Sequence, residues 1–568
     1  MLQASLIFYL VFKEVWGNDD EMTSDKLEQH LNKISRPLAI ILILIAATMH
    51  GCATTPLPQD RNTDYDVIVI GAGMGGLSAA THLASGGMKV LLLEQHYKVG
   101  GCTTSFSRGE FNFDAALHEM SLGGGREKAL VQTIMERAGV FEKVELIRVK
   151  EQCKSVFPEF EFVQPEGEEA FFNALKKRWP DEADNLNRYR DLLIVLSDEI
   201  SELRNLYLAN PLEALLTKIT LPLRQRTLFK YHNKTVQEVL DDFFESEDLK
   251  AVIAQFWLYH GPPPSEQWSI IYLIAQYSYL LHGGWQIKGS SQALSDAYAA
   301  RIKELGGTVL TDTRVTSINV TDGRVTGVDT EHGDTYTSRY VVSNADPFQT
   351  FLGLVGEKEF SGRFLRKLKK LEPSNSFAGV YLGLDVTPDF WGISEYEIFL
   401  NKSMDHQANY EAAMAGNYEN GFMSLTFYSN LDDPFYAPKG KSVLSIHTYS
   451  DMSLWPEPGE EYTRQKEEMM DTLITMAEEI MPGLRDHIEV KEGMTPRTVK
   501  NFTFNQDGTP YGLNFTVEQQ NRINIHTPIG GLFMAGSWTW PSHSVGMAQV
   551  SGFLAANIIL NKEDGQEN

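Results

Sequence analysis

Residues 64 to 94 read DYDVIVIGAGMGGLSAATHLASGGMKVLLLE: an aliphatic run, glycines at 71, 73, 75 and 76, a stretch of small residues, and a second aliphatic run that ends in an acid. The continuous apolar runs have the length and composition of buried strands, and the small-residue stretch between them that of a helix closing at glycine. The predicted unit is therefore β-α-β. In it Gly71 permits the tight turn out of the first strand, Gly73 lets the backbone approach a pyrophosphate, and Gly76 allows close packing of helix on strand. The helix N-terminus offers unpaired N–H groups and a partial positive charge to phosphate. Glu94 lies 18 residues after Gly76 at the end of the second strand, where a carboxylate can accept from ribose hydroxyls. A glycine pattern alone is weak; strand, glycines, helix, strand and acid in register are specific.

The chain beyond Glu94 decides between NAD and FAD. A nicotinamide dehydrogenase continues through further β-α units, whereas here Glu94 runs into QHYKVGGCTTSF, whose glycine pair (Gly100, Gly101) suits a loop over the pyrophosphate and ribityl chain of a flavin. Near the far end, GGLFMAGSWTWPSHSVGMAQVSGFLAANII (530 to 559) reads as strand, polar loop and a helix starting near Gly546. Its N-terminus can stabilise negative charge on a reduced flavin. FAD is the expected cofactor. No second glycine unit of this kind occurs, so electrons are expected to pass through the substrate cavity.

The chain of 568 residues is long enough for two or three domains and a sizeable core, and its net charge of −25 argues against nucleic acid as a partner. Cys52, Cys102 and Cys153 have neither metal-ligand spacing nor the count of a disulfide framework. After Lys33 and Arg36, LAIILILIAATM (38 to 49) leads to Cys52 and a polar, proline-containing stretch. A spanning helix needs about 20 apolar residues, so this run reads as a secretory segment that resembles a bacterial lipoprotein signal with Cys52 lipidated. An uncleaved hydrophobic anchor, or a true start at Met22, reads equally well. Each expectation puts the enzyme beside a membrane.

Between about 127 and 282 helical patterns dominate; Leu186, Tyr189, Leu193, Leu196, Ile200, Leu203 and Tyr207 form a stripe at spacings of three and four. Short strands with Asp-Gly and Gly-Asp turns fill 308 to 346, further strands 376 to 448, and a helix 460 to 482. The expected architecture is α/β: a discontinuous Rossmann-type FAD-binding domain (63–140, 285–350, 491–562), a mixed α+β substrate domain (351–490) and a mainly helical insertion (141–284). Residues 1–62 serve as signal or anchor and linker, and 563–568 as tail.

Four stretches, DYDVIVIGAGMGGLSAATHLASGGMKVLLLEQHYKVGGCTTSF, KGSSQALSDAYAARIKELGGTVLTDTRV, VVSNADP and GGLFMAGSWTWPSHSVGMAQVSG, resemble the phytoene desaturase, carotenoid isomerase and retinol saturase group of FAD oxidoreductases. The resemblance extends over most of 64 to 562. It implies that Gly71, Gly73, Gly76, Glu94, Gly100 and Gly101 bind FAD, that Val315 lies against the adenine, and that Gly536, Ser537 and Met547 approach the ribityl chain and flavin. It also places His118 near the flavin. The chain departs from the group at Ser537, where an acid is frequent, and at Pro541, Ser542, His543 and Ser544, where a glycine-rich turn is usual. His118 and His543 are the catalytic candidates, each weighed against an ordinary satisfied histidine.

The expected substrates are hydrophobic isoprenoids or polyenes. FWLYHGPPPSEQWSIIYLIAQYSYLLHGGW (256 to 285) is a candidate tunnel wall, and the cationic stretch 218 to 234 a candidate membrane contact; core packing and a solvated face are the plainer readings. Three reactions fit: desaturation or saturation of a carbon–carbon bond by hydride transfer at the flavin, with quinone, oxygen or NAD(P)H as electron partner, or cis-trans isomerisation without net redox change. An amine oxidase with Trp538 and Trp540 as its aromatic cage, and a bare electron relay, are the further alternatives.

Overall fold

The computed structural model describes residues 63–122, 128–208, 225–541 and 543–563. Asp64–Glu202 and Thr227–Asn568 form one compact unit, and it is this unit that carries the site. Cys52 and the apolar run at 38 to 49 lie outside the described residues.

The predicted β-α-β unit is present as β1 (Tyr65–Ile70), α1 (Met74–Ser85) and β2 (Val90–Leu93), with β1 and β2 parallel and Val67, Ile68, Val69 and Ile70 opposite Val90, Leu91, Leu92 and Leu93. Val67, Ile68, Val69, Leu91 and Leu92 have no exposed surface, each adding about 1.5–3 kcal/mol of apolar burial. The sheet gathers strands from distant segments. Thr308–Leu310 joins β2, Thr335–Ser343 joins β1 and Leu532–Met534 joins Thr335–Ser343, all parallel; Arg324–Thr330 and Val315–Thr321 extend it antiparallel.

A second, seven-stranded sheet runs in the order Ile488–Met494, Ser376–Leu384, Ser442–Ser450, Phe422–Thr426, Glu397–Asn401, Glu151–Val156, Glu161–Pro165. Three of these strands carry the site: β3 (Glu397–Asn401), β4 (Phe422–Thr426) and β5 (Ser442–Ser450). Period-two alternation divides their side chains. Ile398, Leu400, Met423, Leu425, Leu444 and Ile446 join the apolar core with Met469, Met470, Leu473 and Ile474 of the helix Glu460–Ala477. Glu397, Phe399, Ser424, Thr426 and His447 occupy the other parity, and the register puts Glu397 beside Thr426, and Ser424 beside His447. One face is thus core and the other polar and aromatic.

The segment expected to be mainly helical from 141 has a single 3-10 turn at Phe141–Lys143 followed by strands, and its α-helix begins at Glu168. Its first part forms Leu146–Val149, Glu151–Val156 and Glu161–Pro165, the last two extending the second sheet. The alternation of exposed and buried residues in EFVQP is a strand period that the helical patterns downstream overshadow. In the helix Ala183–Leu208, Leu186, Tyr189, Leu193 and Leu196 are buried as the stripe predicts.

The terminal helix α2 (Val545–Glu563) lies along α1. A Cβ on Gly552 would fall 2.1 Å from the Gly75 carbonyl oxygen, and the Ser78 hydroxyl donates to the Gln549 carbonyl at 2.7 Å. The small residues of both helices permit that approach.

Candidate active site

At the mouth of α1 the backbone is packed too tightly for side chains. Gly71 turns out of β1 with φ +88°, and a Cβ on Gly76 would fall 2.0 Å from the Gly71 carbonyl oxygen, which fits the packing role read from sequence. Gly73 caps α1 with no side-chain bond to its N–H groups, so these donors face the cradle as an anion site. A Cβ on Gly75 would fall 2.5 Å from the Cα of Gly536, which brings the far end of the chain to the same mouth. Gly100 bonds back to the Ala72 carbonyl at 2.8 Å, and Gly101 follows it above Gly73. Asn344, within VVSNADP, stands against Gly71, Gly73, Gly75 and Gly536. Sequence reasoning gives Asn344 no role; an asparagine directly after an apolar strand is its only local signal.

Glu94 closes the cradle. It is buried at the tip of β2, and its carboxylate accepts from the N–H groups of Ala72 at 2.6 Å and His96 at 2.8 Å. Burial raises its pKa, and those amides pull the other way. A carboxylate has about four lone-pair sites, so acceptor capacity remains for a ribose. The Thr313 N–H donates to the Glu94 carbonyl at 2.8 Å, drawing the start of Val315–Thr321 to this tip, while Val315 itself is buried in the apolar core of the first sheet. The cradle, its free helix N-terminus and its acid together fit a dinucleotide.

The loop into α2 carries the other expected residues. The Ser537 carbonyl accepts from Arg522 at 2.9 Å, and the Met547 N–H donates to the Ser544 hydroxyl at 3.1 Å in the first turn of α2. Arg522 is a member that sequence reasoning misses. Its guanidinium is buried on the Phe515 ring, and burial lowers its pKa to about 9. His543 is half-satisfied: its Nε2 donates to the Tyr259 carbonyl at 3.0 Å, its buried Nδ1 has no partner among the described residues, and burial, helped by His260, holds its pKa well below the ordinary value. Trp538 packs into the core of the first sheet, edge-on to Phe348 at 6.3 Å.

His118 belongs to a cluster that the second sheet assembles. Its Nδ1 meets Glu397 Oε1 at 2.8 Å and lies 2.9 Å from the Thr426 hydroxyl. The second oxygen of Glu397 accepts from the Tyr259 hydroxyl, and the Thr426 hydroxyl donates to the first at 3.4 Å. His447 stands 5.4 Å from the His118 ring with both nitrogens enclosed and no partner among the described residues; burial, then His118, holds its pKa well down. Glu119 is likewise enclosed, with neither carboxylate oxygen bonded among the described residues, and burial followed by the charge of Glu397 pushes its pKa well up. Asp114 accepts from the Ser291 N–H at 2.9 Å and the Tyr436 hydroxyl at 2.7 Å, and burial raises its pKa to about 6.

Beside this cluster Phe256, Tyr259 and Tyr279 stack within 5.6 to 6.5 Å and within 21° of parallel, and Phe399 meets Tyr259 edge-on at 5.9 Å. Tyr259 links the parts: its hydroxyl holds Glu397 and its carbonyl holds His543 in the loop before α2. The arrangement sets a stack of aromatic rings next to one histidine–carboxylate couple.

Comparison with known proteins agrees with this geometry. Residues 74–560 match the family model of flavin-containing amine oxidoreductases. All-trans-retinol 13,14-reductase of Rattus norvegicus is 25% identical over 534 residues, covering 88% of this chain and 86% of that protein. The chloroplastic prolycopene isomerase of Daucus carota is 25% identical over 513 residues, covering 88% and 80%. Among solved structures, an oxidoreductase from Methanosarcina mazei superposes with a TM-score of 0.57 at 16% identity, covering 86% of this chain and 99% of that one, a likeness of fold. A flavin family whose cradle is built for two phosphates and a ribose takes FAD, and the chain belongs to the flavin-containing amine oxidoreductases as an FAD-dependent oxidoreductase.

Proposed function

We propose that the enzyme acts on a carbon–carbon bond of a hydrophobic isoprenoid or polyene, saturating or desaturating it. The observation that carries this is the stacked panel of Phe256, Tyr259 and Tyr279 facing Phe399 beside His118 and Glu397. A conjugated hydrocarbon has no groups to hydrogen-bond, so it is held by apolar area and by the faces and edges of aromatic rings. Bound flavin supplies two-electron hydride exchange. The chain orients the substrate on the aromatic panel, excludes water, and holds one proton-exchanging ring at its edge. The names of the retinol reductases and prolycopene isomerases among the relatives support the same substrate class.

Isomerisation without net redox change is the second reading, favoured by the prolycopene isomerase relatives. Amine oxidation is the third reading, and the description of the matching family supports it. The proposed electron partner, quinone, oxygen or NAD(P)H, reaches the flavin through the substrate cavity. Membrane association is proposed from residues 38 to 52, with Cys52 as lipidation site or the apolar run as anchor. No helix among the described residues is long and apolar enough to cross a membrane. In the stretch 218 to 234, Leu228 and Tyr231 are buried, and residues 218 to 224 lie outside the described residues. This leaves the N-terminal segment as the main support.

The test is anaerobic turnover of the FAD-loaded full chain with all-trans-retinol and with a cis-carotene in detergent. Product scaling with reductant identifies a saturase, scaling with acceptor a desaturase, and conversion with pre-reduced flavin and no consumption of reductant an isomerase. No conversion of either polyene, with turnover of a primary amine, would overturn the proposal.

A further inference from the structure

We propose that His118 Nε2 carries the proton half of the reaction, with Glu397 and Tyr259 as positioning residues; this rests on the polyene reading above. Adding hydrogen across a carbon–carbon double bond delivers a hydride to one carbon and a proton to its neighbour. The hydride travels with the cofactor. The proton needs a carrier in a site walled from water, and this chain must supply it.

Among the described residues of the cluster one group is both bound and accessible, for Asp114 has no exposed surface and is held by Ser291 and Tyr436. Glu397 has no accessible side-chain surface and already accepts from Tyr259, Thr426 and the His118 ring. Both oxygens of Glu119 and both nitrogens of His447 are enclosed. Tyr259 and Tyr279 are phenols held to their protons by burial and by the nearby carboxylates. Within the cluster His118 combines a bound side and an open one: its side chain keeps 13% of its surface accessible against none for Glu397, and the hydrogen bonds of its ring both fall on Nδ1. An acceptor on Nδ1 fixes that nitrogen as the protonated one, which leaves Nε2 to exchange protons.

The ring is aimed by contacts that reach the flavin side. Glu397 is locked by the Tyr259 hydroxyl, and the Tyr259 carbonyl is locked by His543 at 3.0 Å, in the loop that begins with Gly536 and Ser537 and ends at α2. The sheet register supplies the rest, setting Thr426 opposite Glu397. In the reductive direction bound reduced flavin would supply the hydride to one carbon and be left oxidised, and the adjacent carbon takes the proton of His118 Nε2–H. The ring is left neutral with its proton on Nδ1 and regains the other from water. A two-electron donor of the nicotinamide or quinol class restores the cofactor. In desaturation Nε2 accepts the proton as the hydride leaves.

The test uses the full chain loaded with FAD, reduced with dithionite and mixed in D2O with all-trans-retinol or a cis-carotene. The parent should place a solvent deuterium on the carbon that does not receive the hydride. H118Q should form product about 10²- to 10⁴-fold more slowly, with FAD retention and visible spectrum unchanged. E397Q should lose less than H118Q. A second readout needs no turnover: in 15N-histidine-labelled protein the resonance missing from H118Q should report a proton fixed on Nδ1 in the parent, and E397Q should abolish that preference. An active parent with H118Q equally fast, or a His118 proton fixed on Nε2, overturns the inference alone. A parent inactive on both polyenes removes the functional reading and the inference with it.

Discussion

The cradle at α1 and the cluster on the second sheet are built on opposite principles. The cradle works by what is missing: at Gly73, Gly75, Gly76, Gly536 and Gly552 a single added carbon would collide with backbone or with Asn344, and the ligand would be held by free N–H groups and one carboxylate. The cluster works by what is present: sheet register and parity set Glu397, Thr426 and His447 on one face, and His118 and Tyr259 reach Glu397 from segments outside that sheet. The first is local chain between 71 and 94, closed by Asn344, Gly536 and Gly552 from distant segments; the second is tertiary structure throughout. The two should therefore fail differently when changed.

The sharpest contrast is Gly76→Val, which places carbon 2.0 Å from the Gly71 carbonyl and is expected to abolish FAD retention, read as flavin absorbance per chain after gel filtration. Tyr259→Phe, on the cluster side, should keep the flavin. Glu94→Gln comes next. It removes a charged acceptor at the tip of β2, a bond of about 1.5–3 kcal/mol, and should weaken FAD binding by roughly 10- to 100-fold in fluorescence titration. Normal affinity in this variant would take the acid out of the cradle.

Asp114 allows a pH test on the cluster side. Its folded pKa, about 6, lies above the ordinary value of 3.8, so the folded state holds the proton more tightly. The stability this confers is full below about pH 4 and is lost as the pH rises through about 6. For a displacement of that size the loss approaches about 3 kcal/mol. The amide of Asp114→Asn does not titrate, so the parent should gain stability relative to that variant on acidification from about pH 6 to about pH 4 in denaturant melts; a constant difference would contradict the assigned burial. The smallest effect is expected for Thr426→Val, which removes one hydroxyl donor and should cost about 1 kcal/mol with FAD binding unchanged.

The contrast also explains how much of the molecule is legible in its sequence. Strand, glycines, helix and acid fall within 64 to 94, where each residue's task follows from its neighbours, and the structure keeps them in that relation. The first sheet's remaining strands are legible from the Asp-Gly turn at 322 and 323 and from the alternation around it. Glu397 has only a faint signal, an acid inside the apolar run YEIFL, and His447 the same inside SIHTY. Nothing local says that they share a sheet face, because the chain between them folds into β4 and its connections. Sequence reasoning reaches His118 but not its partners. His543 is an equally isolated signal in sequence, and in the structure its Nε2 bonds the Tyr259 carbonyl where His118 bonds Glu397 and Thr426 through Nδ1. The strands at 146 to 165 are hidden because they pair with segments far along the chain, Gly284–Ile287 and β3.

The central claim, a cradle shaped for both halves of FAD, is tested most directly by cofactor choice in the purified chain. The account predicts that FAD is retained through gel filtration with the absorbance of oxidised flavin, that FMN, which lacks the adenylate half, is not, and that Gly76→Val retains neither. Equal retention of FMN and FAD, or a Gly76→Val protein as yellow as the parent, would contradict it.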